Sequence, residues 1–140
     1  MYKRHLLSVA YCTLINVVDY DDKLREQYGL EWVSLKDLPQ LYSDHNLMIQ
    51  DAISQIRRRI NTEPLSFKLL PNLFTLTQLQ HVFEAVMDEE IDKRNFRKRI
   101  KDIDLIEKTE LIDKAGSRRG AALYRFNKKA YAQDPSFKLK

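Results

Sequence analysis

The chain has 140 residues, of which 44% are hydrophobic and 31% are charged, so it can bury the core of one domain or of two small ones. No apolar stretch approaches the roughly 18 residues that span a bilayer, and the N-terminus lacks a signal-peptide cleavage pattern, so we expect a cytoplasmic protein with no membrane partner. One cysteine and three histidines predict neither a disulfide nor a metal site, and three glycines fit no nucleotide-binding loop, so we expect no cofactor.

The net charge of +4 is distributed unevenly along the chain. Residues 1–64 hold 8 Lys and Arg against 9 Asp and Glu, whereas residues 65–140 hold 16 against 11. Between Lys93 and Lys101 there are six basic residues and no acidic one. This asymmetry favours an anionic polymer as the partner of the C-terminal half, although a solvated basic helix face explains the charge alone equally well.

The N-terminal part begins with a predicted strand. Residues 6–18 are rich in β-branched and aromatic side chains, which predicts a long strand that is buried on both faces near its middle. Glu31 to Val33 predict a second, short strand. We expect Cys12 to be a buried filler on the first strand and Trp32 to lie in the core.

A helix is predicted to start at Asp44. Apolar residues recur at three- and four-residue spacing up to Ile60, and three consecutive arginines occupy the last turns, where the helix dipole favours cations. Residues 61–64 are the best linker candidate, since the charge composition changes there. We therefore predict two domains, residues 1–64 and residues 65–140.

The C-terminal part opens with an apolar connector, residues 67–74, which leads into a helix. Thr75 and Gln78 have the spacing of a capping box, and the residues behind them place apolar side chains on one helix face. Asp92 is a predicted N-cap for a second helix. The inward stripe of this second helix consists of Phe96, Ile100 and Ile103.

Two strands follow the second helix. Residues 105–112 predict the first strand and residues 121–126 the return strand, joined by a turn over 114–120 that contains two glycines and two arginines. Residues 127–140 predict a short helix and then a basic tail. This order of elements is that of a winged helix, a helix-turn-helix variant followed by a β-hairpin. The fold class is therefore α+β.

The winged helix order gives the basic residues of the second helix candidate roles. The N-terminal residues of a recognition helix reach base edges first, so Arg94 and Arg97 are candidates for guanine readout and Asn95 for adenine. We expect Arg99, near the flank of the apolar stripe, to be structural or to face phosphate. The predicted phosphate contacts are Lys93, Lys98 and Lys101.

The turn between the two strands adds further candidates. Arg118 and Arg119 lie at its tip, where they could enter a minor groove or grip its phosphates. The predicted DNA-binding set is completed by Thr77 and Gln78, at the start of the first helix.

Several segments carry a resemblance to a known family. Residues 73–86, 91–100 and 119–126 closely resemble the C-terminal winged helix of Nudix-related transcriptional regulators. These are bacterial repressors or activators of genes for NAD synthesis or sugar utilisation. Residues 7–11 and 31–39, with the helix that starts at Asp44, look like the C-terminal end of a Nudix domain. The resemblance implies a truncated Nudix-like α/β segment followed by a winged helix, with double-stranded DNA as partner.

The chain also departs from the family pattern. It lacks the Nudix box, and Arg25-Glu26, which we interpret as a surface loop or strand edge, lacks the glutamate pair that would hold Mg²⁺. Metal-assisted pyrophosphate hydrolysis is therefore not expected, and we do not expect an enzyme. The pattern suggests a fragment in which the winged helix is complete and the effector domain is cut. In the family that domain binds an effector such as ADP-ribose or a pentose.

Three alternatives remain open from the sequence. The leading hypothesis is a sequence-specific DNA-binding transcriptional regulator. The chain could instead be a fragment of a Nudix-type nucleotide pyrophosphohydrolase, or a winged helix that binds protein rather than DNA. We also predict a homodimer held mainly by residues 1–60, because a strand over residues 6–18 without sheet neighbours would expose an edge.

Overall fold

The structure is a computed structural model that describes residues 7–15, 26–115 and 119–134. The chain divides into two compact units, Met1–Ile53 and Ser54–Lys140, with the boundary inside helix α1 (His45–Ile60). The predicted strand residues 6 and 16–18, Arg118 and the tail from Pro135 lie outside the described residues. The predicted assignment of residues 1–64 to a Nudix-like domain stays a prediction.

The N-terminal unit contains no strand among its described residues. Residues 7–15 and Glu31 to Val33 are irregular, so both strand predictions are wrong over these residues. Of the predicted loop or strand edge at Arg25-Glu26, Arg25 lies outside the described residues and Glu26 begins a helical turn over residues 26–28. β-Branched and aromatic residues form a strand only where a neighbouring strand supplies the hydrogen-bond ladder, and no described residue pairs with these segments.

The burial predicted for this unit is also wrong. Cys12 is exposed, and Trp32 keeps 51% of its surface accessible. Both predictions assumed a sheet that would cover these side chains. Without that sheet the unit leaves several large apolar side chains exposed, among them Leu7, Val9 and Tyr11.

The C-terminal unit contains the end of α1 and seven further elements among its described residues. They are α2 (Leu65–Lys68), β1 (Phe74–Thr75), α3 (Leu76–Met87), α4 (Lys93–Lys101), β2 (Ile106–Asp113), β3 (Ala121–Phe126) and α5 (Lys128–Gln133). The described strands form one antiparallel sheet in the order β1-β3-β2. The connector predicted over residues 67–74 instead contributes to α2 and begins β1, where Phe74 pairs with Tyr124.

The starts of α3 and α4 are set by side chains that the sequence identifies. The backbone N–H of Gln78 donates to Thr75 Oγ1 at 3.2 Å, and the Gln78 Oε1 accepts from the Thr75 N–H at 2.8 Å, which confirms the capping box. Asp92 caps α4 by accepting from the Asn95 N–H at 2.8 Å. Each cap satisfies donors that a helix N-terminus otherwise leaves without partners.

The core of the C-terminal unit joins both helices to the sheet. Phe83 of α3 meets Phe96 of α4 edge to face, with 5.5 Å between the ring centroids, and both rings are buried. Ile103, predicted to continue the stripe of α4, lies beyond the end of that helix and is partly buried against the core. The buried apolar residues are Ile60, Phe74, Leu76, Leu79, Phe83, Phe96, Ile100, Leu105 and Tyr124.

The β2–β3 hairpin is the wing. Gly120 opens β3 with φ of +71°, a left-handed conformation that a side chain disfavours. A Cβ there would also meet the Ile112 side chain and come within 3.2 Å of the Asp113 carbonyl oxygen. Glycine therefore allows the return strand to lie close against β2. On β3, Tyr124 is buried, Phe126 packs against the core and Arg125 is exposed, as the alternation predicts.

Candidate nucleic-acid interface

Helix α4 presents basic side chains on every side that does not face the core. Phe96 and Ile100 are 3% and 1% exposed and fix the inward direction. Residues four apart lie on one side of a helix, about 5–6 Å from each other. Three rows result, each with at least one basic residue: Lys93 with Arg97 and Lys101, Arg94 with Lys98, and Asn95 with Arg99.

The first row lines a cleft of about 650 Å³ between α4, the start of α3 and the wing. Lys93, Arg97 and Lys101 lie on one side of it, and Thr77 and Gln78 on another. Gly120, Ala121 and Ala122 of the wing complete its wall. We call this space the helix–wing cleft. It brings together five of the residues that the sequence predicts to bind DNA.

Arg97 is held inside the helix–wing cleft. Its Nη2 donates to Thr77 Oγ1 at 3.2 Å, a contact across 20 positions of sequence. The side chain is half-buried, and its Nε is buried without a hydrogen-bond acceptor among the described residues. A tethered guanidinium is less able to extend along a base pair, so this geometry disfavours the predicted guanine readout by Arg97.

The second and third rows face elsewhere. Arg94 and Lys98 are exposed on the side of α4 away from the core. Asn95 and Arg99 line a different cavity, of about 930 Å³, together with Arg57 and Arg58 of α1. The structure therefore separates Asn95 from Arg97, although the sequence groups them as base readers. Arg119 is exposed on the wing.

A polar network that sequence reasoning missed holds the turn between α3 and α4. Glu84 Oε1 accepts from Gln80 Nε2 at 2.8 Å and from the Ile91 N–H at 3.1 Å. Gln80, which is 7% exposed, also donates to the Ile91 carbonyl at 3.0 Å. These contacts join α3 to the residue that precedes the N-cap of α4, and so set where the basic helix begins.

The hydrogen bonds to Glu84 predict a pH-dependent stability. Those from Gln80 and from the Ile91 backbone hold the pKa of Glu84 below its ordinary value. A lowered pKa in the folded state stabilises the fold above the ordinary pKa, and this stabilisation is lost as the pH falls through the lowered value. We therefore expect Glu84→Gln to lower the free energy of unfolding at neutral pH, and the difference from the wild type to shrink in acid.

Urea denaturation of both proteins between pH 3 and pH 7, a range chosen to bracket a carboxyl pKa of about 4, measures this difference. Glu110→Gln is the matched control, because Glu110 is an exposed carboxylate on β2. A difference for Glu84→Gln that stays constant with pH would contradict the role assigned to the carboxylate.

No group of three or more His, Cys, Asp or Glu side chains among the described residues could hold a metal ion. Of the helices that the structure describes, none is long and apolar enough to cross a membrane.

Two helices joined by a short turn, a basic second helix and a β-hairpin beside it define the winged helix class. Residues 66–126 match the family model of the NrtR DNA-binding winged helix domain. Residues 66–126 are therefore similar to that domain, which confirms the resemblance predicted from the C-terminal segments.

Three similar proteins or structures agree with this match. The ADPR responsive transcriptional repressor NtrR of Acinetobacter baylyi is 33% identical over 122 residues, which cover 86% of this chain and 48% of the relative. The crystal structure of Shewanella oneidensis NrtR complexed with a 27mer DNA is similar with a TM-score of 0.59 and 27% identity. A second crystal structure of Shewanella oneidensis NrtR is similar with a TM-score of 0.56 and 28% sequence identity. Each match covers 78% of this chain and 48% of the solved one, so the chain spans about half the length of these relatives.

Proposed function

We propose that the chain is a sequence-specific DNA-binding transcriptional regulator whose recognition helix is α4. The observation that carries the proposal is the unpaired charge of this helix. None of its six Lys and Arg side chains has an acidic group within 4.0 Å in the part of the chain that the structure describes. The helix packs on the core by one side and presents cations without acidic partners on the others. Such a surface is suited to bind a polyanion such as DNA.

The rows of α4 suggest a division of roles. Arg94, near the helix N-terminus and exposed, is placed to reach a base edge, and Lys98 one turn later to reach a phosphate. Adenine readout by Asn95 and phosphate or minor-groove contacts of Arg118 and Arg119 complete the proposed set. The DNA partner is supported by the Shewanella relative, which was crystallised with a 27mer duplex.

Selection from a random duplex library tests sequence specificity. A protein of this class binds its own site about 1,000-fold or more tightly than non-specific DNA. We expect a single enriched motif, and tighter binding to it than to a scrambled duplex by at least that factor. Enrichment of no motif, with equal affinity for both duplexes, would contradict specific regulation and favour the protein-binding winged helix.

We also propose that the chain acts as a homodimer. The original argument from an exposed strand edge is not supported, since residues 7–15 form no strand. The exposed Leu7, Val9 and Tyr11 of the N-terminal unit provide a different one, because exposed large apolar side chains favour association. Two-fold operators also suit dimeric helix-turn-helix proteins. Light scattering at micromolar concentration should give the mass of two chains, and the mass of one chain would contradict the proposal.

Effector control is proposed for a protein of the relatives' full length. The Acinetobacter relative is named as responsive to ADP-ribose. Adding ADP-ribose to the DNA-binding measurement should change the dissociation constant if this chain takes part in the response, and an unchanged constant would contradict its participation. The hydrolase alternative predicts Mg²⁺-dependent turnover of ADP-ribose in the same samples, whereas a regulator should show none.

A further inference from the structure

We propose that the helix–wing cleft binds one phosphate of the DNA backbone, and that Arg97 holds this phosphate rather than reading a base. The inference rests on the proposed function and assigns one site within it. It departs from the role that the sequence alone suggests for Arg97, because the structure shows where its guanidinium is held.

The Arg97 side chain has a buried donor without a partner among the described residues. A buried N–H without an acceptor is unfavourable, so such donors in folded proteins usually meet a ligand, an ion or water. The Nε of Arg97 is such a donor, and Nη2, which lies on the same edge of the guanidinium, donates to Thr77 Oγ1 at 3.2 Å. The contact with Thr77 orients the guanidinium in advance, and Nη1, which has no hydrogen bond to the described residues, is left for an oxyanion.

The charged side chains around Arg97 are mainly positive. Lys93 and Lys101 lie one turn before and one turn after Arg97 on the same side of α4, where like charges repel. None of the three has an acidic group within 4.0 Å among the described residues. One carboxylate, Asp113, lines the cleft, and it accepts a hydrogen bond from the Ala115 N–H at 2.9 Å. The excess charge in the cleft is therefore positive.

The other walls of the helix–wing cleft also suit an anion. The first turn of α3 lines the cleft, and the partial positive charge of a helix N-terminus favours anions. The opposite wall is formed by Gly120, Ala121 and Ala122, whose small side chains leave the space open. An oxyanion there would contact the basic row, the start of α3 and the wing at once. These contacts match the chemistry of one phosphate group of the DNA backbone.

The test combines protein and DNA substitutions. We expect Arg97→Ala to weaken binding to the selected duplex and to a scrambled duplex by the same factor, about tenfold or more for a lost charged hydrogen bond. The slope of log affinity against log salt should fall by about one unit per subunit. Arg99→Ala is the matched control, because Arg99 lies on the other flank of α4 and lines a different cavity. Its effect on both quantities should be smaller.

Single methylphosphonate substitutions identify the phosphate. Neutralising one phosphate in each half of a two-fold site should weaken binding of the wild type as much as Arg97→Ala does. The same DNA substitution should not weaken binding of the Arg97→Ala variant any further. Arg97→Lys, which keeps the charge but loses the fork of donors, should retain part of the affinity and shows whether a loss in Arg97→Ala reflects unfolding.

The outcomes separate this inference from the proposed function. If the wild type binds the selected duplex but Arg97→Ala relaxes specificity and leaves scrambled binding unchanged, Arg97 reads a base and the inference is wrong. If Arg97→Ala binds DNA normally and loses only the binding of inorganic phosphate, the cleft binds a free anion rather than a DNA phosphate. This result would also contradict the inference. If the wild type binds no duplex, the proposed function fails together with it.

Discussion

Replacing Phe96 with alanine should lower the free energy of unfolding of the C-terminal unit by about 3–5 kcal/mol. Phe96 is one of the two buried side chains of α4, and it meets Phe83 of α3 edge to face at 5.5 Å. Truncation removes both the buried area and the ring contact, and leaves a cavity beneath the basic helix. We expect DNA affinity to fall as well, because an undocked α4 no longer presents its rows of cations in fixed positions.

Urea denaturation followed by circular dichroism measures the loss of stability. Lys98→Ala is the matched control on the same helix, since Lys98 is exposed and its replacement should change stability by less than about 0.5 kcal/mol. A loss below about 1 kcal/mol for Phe96→Ala would show that α4 is held by other contacts than those in the structure.

Replacing Arg94 with alanine should cost about 1–3 kcal/mol of affinity for the selected duplex and much less for a scrambled one. Arg94 is exposed at the start of α4, in the row that points away from the core, and no ion pair holds it among the described residues. A free guanidinium can form two hydrogen bonds with guanine, and their loss removes discrimination between bases. Folding should be unaffected because Arg94 takes no part in the core.

This assignment is tested by competition binding of the Arg94→Ala and Lys98→Ala variants to the selected and the scrambled duplex. Lys98 lies one turn further along the same row, and as a point charge it should contribute equally to all sequences. We expect Lys98→Ala to weaken both duplexes alike. If Lys98→Ala relaxes specificity while Arg94→Ala weakens both duplexes equally, the two roles are assigned to the wrong residues.

The elements that the sequence predicts correctly are those fixed by local chemistry. The caps at Thr75 and Asp92 depend on side chains within three residues of the groups that they satisfy. The strand at 121–126 follows Gly120, and its residues 124–126 alternate between inward and outward positions. Such signals can be identified without knowledge of the tertiary structure.

The errors and omissions concern contacts between distant residues. A strand at residues 7–15 requires a partner strand, and β-propensity alone does not show whether one exists. The short strand β1 has only two residues and is defined by its pairing with β3. The contact of Arg97 with Thr77 spans 20 positions. The sequence therefore identifies the basic helix, whereas only the structure distinguishes a tethered arginine from a free one.

The central claim is that the uncompensated cations of α4 and the wing bind DNA phosphates. The most direct test is the dependence of duplex affinity on salt concentration, measured by fluorescence anisotropy with the wild-type chain. If each subunit neutralises about five phosphates, a dimer should give a slope of log affinity against log salt near −9. A slope flatter than about −2 would contradict the claim.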